Sequence, residues 1–116
     1  MDKLRKYLLA VLIAAISVFA LKDLWGPQFY TSHDGQSHLA RLYQYDRLLR
    51  DGQFPPRWAG QFAGERGYPV FVFAYPLPYA VGETFYLSGF NLAESLKLTI
   101  SLFYNFPLFI SCLNFL

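Results

Sequence analysis

The chain has 116 residues, 54% of them hydrophobic and 20% aromatic, with a formal net charge of +2. That length suits one small soluble domain, but the apolar residues are pooled at the two ends instead of recurring along the chain, which argues against one. A single cysteine, Cys112, excludes a disulfide framework or thiolate metal cluster within one chain. In an apolar helix it reads as a small buried hydrophobe.

Asp2, Lys3, Arg5 and Lys6 carry the whole net charge, because the seven basic and seven acidic residues from Lys22 to Lys97 cancel. This balance gives no footing for a nucleic-acid partner. Residues 7–21 (YLLAVLIAAISVFAL) and 98–116 (LTISLFYNFPLFISCLNFL) contain no charge. A bilayer core of roughly 30 Å takes about 20 mainly apolar helical residues. The second run meets that need almost unaided. The first meets it if its helix continues to Trp25, with Lys22 reaching back to the headgroups. The positive-inside rule then places the N-terminus in the cytoplasm and the middle segment outside the cell membrane. A cleaved signal peptide is the alternative for the first run, with Val18, Phe19 and Ala20 before the cut; it leaves the middle segment on the same side.

Trp25, Gly26 and Pro27 close the first helix, and residues 29–35 read as a loop. Residues 36–51 have helical periodicity, with Leu39, Leu42, Tyr45 and Leu49 on one face and Arg41, Gln44, Arg47 and Asp51 on the other. The pairs Asp46/Arg50 and Arg47/Asp51 have the i,i+4 spacing that supports a helix, and Gly52 caps it. Pro55 and Pro56 forbid its continuation. The glycines at 60, 64 and 67 mark an irregular connection. In residues 68–79, three prolines forbid a clean spanning helix. A short helix is expected from Pro78 to Leu87 or Ser88, too short to cross an ordinary bilayer. Asn91 and Glu94 have capping-box spacing for the final helix.

The fold class expected is therefore an all-α membrane protein. Residues 1–6 are cytoplasmic, 7–25 a transmembrane helix, and 26–97 an external loop with membrane-parallel amphipathic helices near 36–51 and 78–88. Residues 98–116 form the second transmembrane helix. The second run reaches Leu116 with no flanking anchor, which reads as the opening piece of a longer membrane protein. Two helices and a loop also offer little surface on which residues 68–86 could be buried.

Three features could carry chemistry. In Ser32-His33-Asp34-Gly35-Gln36-Ser37-His38, a carboxylate between two imidazoles could act as a general base or as one ligand of a divalent cation; alternatively Asp34 only caps the following helix. Arg41, Arg47, Arg50, Arg57 and Arg66 suit phosphate or pyrophosphate, or lipid headgroups. Tyr and Phe residues within 68–86 could stack on a sugar or an isoprenoid tail, or anchor the chain at the interface. There is no nucleotide-binding glycine loop, Cys/His metal cluster or Ser-His-Asp order.

In order along the chain, these pieces resemble the N-terminal region of polytopic GT-C glycosyltransferases. The matching pieces are the acid in His33-Asp34-Gly35-Gln36-Ser37-His38, the surface helix ending Arg50-Asp51-Gly52-Gln53-Phe54-Pro55-Pro56-Arg57-Trp58, and the motif Tyr75-Pro76-Leu77-Pro78-Tyr79. Gly35 stands where the family usually has a second acid. The resemblance implies hexosyl or pentosyl transfer from a polyprenyl-phosphate-linked sugar to an extracytoplasmic acceptor, with inversion. It makes Asp34 the general base, His38, Arg57 and Arg66 contacts for substrate or phosphate, a divalent metal a possible cofactor, and the bilayer and further transmembrane helices the partners. The 116 residues alone are expected to be inactive. Two other classes compete: a transporter or flippase piece, which predicts ionisable residues inside the spans, and a small membrane-anchored interaction protein, which predicts a polar tail.

Overall fold

The computed structural model describes residues 3–29 and 32–115, apart from the side chains of residues 3, 109, 112, 113 and 115. The setting of Cys112 thus lies outside what is described. The chain is helical: α1 is Lys3–Ala20, α2 Gly35–Arg50, α3 Val70–Phe73, α4 Pro76–Leu87 and α5 Leu92–Phe115. Among the described residues, the only β pairing is one isolated antiparallel bridge between Ala59 and Tyr68. Two compact units form, residues 1–30 with 100–116, and residues 31–99.

The first unit contains α1 and the later part of α5. In α1 no Gly or Pro interrupts the run, and its polar Ser17 is satisfied within the helix by donating to the Ile13 carbonyl at 2.8 Å. The expected extension to Trp25 is not found. After Ala20 the amides of Lys22, Leu24 and Trp25 bond to carbonyls three residues back, at 3.0–3.3 Å, so the helix tightens into turns. Lys22 folds back instead, its ammonium 4.5 Å from the centre of the Phe19 ring. The uncharged helical stretch is then residues 7–20, about 21 Å at 1.5 Å per residue, short of a bilayer core. In α5 the apolar run is interrupted by Asn105, whose amide donates to the Ser101 carbonyl at 2.8 Å, and by Pro107. No helix among the described residues is long and apolar enough to cross a membrane. Leu8, Val11, Leu12, Ile16, Phe19, Phe103 and Phe106 are nonetheless exposed.

The second unit has a core. α2 packs on α4, and Leu42, Tyr45, Leu48, Ala59, Val70, Phe71, Tyr79 and Leu96 are buried. Phe71 is the hub, meeting Tyr45 edge-on at 5.2 Å and Tyr79 at 5.6 Å between ring centres. Within residues 68–86, Val70, Phe71 and Tyr79 therefore do find surface to bury against, while Tyr68, Val72, Phe73, Tyr75 and Leu77 stay exposed. Gly82 makes the close approach possible: a Cβ there would stand 3.0 Å from Leu42 Cδ1 and 3.2 Å from Thr99 Oγ1.

The helix expected over 36–51 forms as Gly35–Arg50, and Gly52 follows it at φ +83°, the left-handed conformation that suits glycine at a helix end. Its polar face is narrower than the periodicity implies. Gln44 is 3% exposed and Asp46 5% exposed, so the buried side of the helix extends beyond the apolar stripe. Beyond α2, the Gln53 side-chain oxygen accepts the amides of both Arg57 and Trp58. Ala59 and Tyr68 then exchange two backbone hydrogen bonds at 2.9 and 3.0 Å. Gly67 lies against the Trp58 indole, at φ +80°, where any side chain would strike the ring. Pro76 and Pro78 both fall in the first turn of α4, which starts two residues earlier than expected and is 12 residues long. Asn91 and Glu94 close the expected capping box. The Glu94 amide donates to Asn91 Oδ1 at 2.8 Å and the Asn91 amide to Glu94 Oε2 at 3.1 Å.

Candidate functional site

The start of α2 brings several of the candidate residues together. Asp34 occupies the N-cap position but makes no side-chain cap hydrogen bond. Its backbone carbonyl accepts the His38 amide at 3.0 Å, so the helix starts without using the carboxylate. That carboxylate lies 3.2 Å from His33 Nδ1, with the two side chains 70% and 100% exposed. The simple capping role for Asp34 is thus not what the structure contains.

One turn on, His38 and Arg41 converge on α4. His38 Nδ1 is 2.9 Å from the Tyr79 hydroxyl, and an Arg41 guanidinium nitrogen donates to the same oxygen at 3.4 Å. One arrangement satisfies all three groups. The phenol accepts from Arg41 and donates to His38 Nδ1, which makes Nε2 the protonated nitrogen of the imidazole. The rings of His38 and Tyr79 lie 6.2 Å apart and 28° from parallel.

Beside this triad is an open groove of about 240 Å³ lined by Ser37, Ala40 and Arg41 of α2 and by Phe62, Tyr68 and Val70. The Ala59–Tyr68 bridge holds Tyr68 there, and the turn that includes Phe62 closes back through the Gly67 amide onto the Phe62 carbonyl at 3.0 Å. No carboxylate lines the groove, and no ion pair engages Arg41 among the described residues. The result is a largely apolar hollow with one cation at its wall.

Arg57 and Arg66 are exposed and do not line this groove. Arg41, rather than either of them, is the arginine that the fold sets among the candidate residues. Its signal in the sequence was its place one turn after His38. Among the described residues, no group of three or more His, Cys, Asp or Glu side chains could hold a metal ion.

Sequence reading missed a second polar cluster. Glu83 of α4 is 4% exposed, next to the buried Asp46 of α2, and one Glu83 oxygen, Oε2, has no hydrogen-bond partner. Burial pushes the Glu83 carboxyl up to about 7, helped by the charge of Asp46 and a hydrogen bond with it, while Arg50 opposes the rise. Asp46 in turn accepts from Arg50 Nε at 2.7 Å. Burial, followed by the charge of Glu83, also raises the Tyr45 phenol. The i,i+4 spacing pointed to Asp46–Arg50, but nothing local points from Asp46 to Glu83.

Comparison with protein-family models, with curated proteins and with solved structures finds no match.

Proposed function

We propose that this chain is part of an integral membrane glycosyltransferase that moves a sugar from a lipid-phosphate carrier to an acceptor outside the cytoplasm. The observation that carries the reading is Asp34. It is an exposed carboxylate held at the head of α2, beside His33 and not engaged in capping. It stands one turn before the residues that bind Tyr79 and wall the groove. The exposed apolar faces of α1 and of the later part of α5 support the membrane setting, because large bare apolar surfaces call for lipid or for further helices.

In the reaction, Asp34 accepts the proton of the acceptor hydroxyl. The hydroxyl oxygen bonds to the anomeric carbon as the bond from that carbon to the phosphate oxygen breaks, and the phosphate leaves with the electron pair. Attack opposite the leaving group inverts the centre. The test is Asp34→Asn in a full-length parent enzyme, in membranes supplied with labelled hexosyl and pentosyl polyprenyl phosphates. Label transfer should fall at least 100-fold while the protein stays in the membrane fraction. Unchanged transfer removes Asp34 from the role of base.

A further inference from the structure

The groove beside α2 pairs a cation with apolar walls, and that pairing selects a chemistry. Arg41 has no carboxylate partner among the described residues, yet it is half-buried and reaches the Tyr79 hydroxyl at 3.4 Å. A guanidinium in a partly desolvated wall favours an anion that its fork can bind through two oxygens. Ser37 lies one turn before Arg41 on the same face of α2 and lines the same hollow, so its hydroxyl adds a donor next to the fork. Opposite stand Phe62, Tyr68 and Val70, which suit an apolar or ring-bearing body. Two oxygens satisfy the fork and a third reaches the hydroxyl, which suits a tetrahedral oxyanion better than a planar carboxylate.

We infer that this groove binds a phosphate ester through Arg41 and Ser37, with the esterified apolar group against Phe62, Tyr68 and Val70. Tyr79, held by His38 at 2.9 Å, is a positioning residue that keeps the guanidinium aimed along the wall. In assigning the phosphate to Arg41, in place of Arg57 or Arg66, the inference rests on the lipid-phosphate reading above, but it is measured as binding and not as transfer.

The test uses the purified chain in a neutral detergent and in phosphatidylcholine nanodiscs, titrated with phenyl phosphate. A second set of nanodiscs contains 20% phosphatidic acid. Saturable binding of phenyl phosphate should weaken about tenfold in Arg41→Ala and less in Arg41→Lys, which keeps the charge without the fork. Arg47→Ala, on an exposed residue beside Tyr43, should leave it unchanged. Tyr68→Ala should weaken phenyl phosphate but not inorganic phosphate. Circular dichroism confirms that each variant keeps its helices, and Arg41→Gln replaces the alanine variant if that one does not fold. Competition of phenyl phosphate by phosphatidic acid discs identifies a lipid headgroup as the source; its absence identifies a free organic phosphate. Either supports the site. Equal binding by wild type and both neutral Arg41 variants overturns it, as does benzoate binding as tightly as phenyl phosphate. Loss of transfer in Asp34→Asn of the full-length parent with Arg41-independent binding sinks the inference alone, and Arg41-dependent binding with transfer that Asp34→Asn leaves unchanged sinks the enzyme reading alone.

Discussion

The buried carboxyl pair makes stability depend on pH in a direction opposite to that of most acidic residues. Glu83 is held near 7 in the fold against an ordinary value of 4.5. Between those values the unfolded chain has lost the proton and the folded chain keeps it. Unfolding therefore releases a proton, and stability falls as pH rises through 7. The stabilisation is complete below about pH 4.5 and gone above the folded value. At about 1.4 kcal/mol per pH unit, the separation sets a ceiling near 3 kcal/mol. Arg50 opposes the rise, so about 2 kcal/mol between pH 5 and pH 8 is the working figure. Tyr45 also faces the pair, and Lys97 of α5 is buried in the same unit. Glu83→Gln keeps a donor for Asp46 at every pH. Urea unfolding of the detergent-solubilised protein, followed by circular dichroism, should show wild type losing about 2 kcal/mol from pH 5 to pH 8. The glutamine variant should stay nearly flat and be the more stable protein at pH 8. A wild type without that slope, or a glutamine variant that retains it, refutes the raised Glu83 carboxyl.

Two further substitutions probe the packing of the second unit. Gly82→Ala gains helix propensity of about 1 kcal/mol but presses a methyl on Leu42 and Thr99, an overpacking cost of about 2 kcal/mol. A net loss near 1 kcal/mol is expected in urea unfolding, and a stabilised variant would mean that α2 and α4 separate easily. Asn91→Ala removes the side-chain acceptor of the Glu94 amide and should cost about 1 kcal/mol. The first turn of α5 should then exchange its amide hydrogens faster while the α2 amides do not, and uniform exchange across both helices would deny the local effect.

What the sequence shows most clearly is structure decided within a few residues. The extent of α2, the glycine after it and the Asn91–Glu94 box follow from periodicity and capping chemistry acting over one or two turns. The end of α1 was misjudged, because continuity of apolar residues does not report where hydrogen bonding changes from i→i+4 to i→i+3. Gln44 was placed on the solvent side because periodicity gives the direction of a face but not how far neighbouring helices wrap around it. The candidate site divides the same way. Asp34, His38 and Arg41 are neighbours on one helix and could be found from spacing. Tyr79 and Glu83 come from α4, and their meeting with α2 depends on a fold that brings residues some forty positions apart into contact. Arg57 and Arg66 looked suitable by residue type, but side-chain chemistry alone does not decide which arginine borders a hollow.

Gln53 and Asn91 share a property that bears on chemical ageing. Each holds its turn through the amide oxygen: Gln53 binds the amides of Arg57 and Trp58, and Asn91 binds that of Glu94. Direct conversion to the carboxylate, as in Gln53→Glu and Asn91→Asp, replaces the nitrogen and keeps an oxygen in place, now a stronger acceptor. At Asn91 the new carboxylate also stands at the positive end of α5. Both motifs would stay closed while the chain's formal charge of +2 was cancelled. Proteins carrying Gln53→Glu or Asn91→Asp formed in this way should therefore separate by charge and melt together.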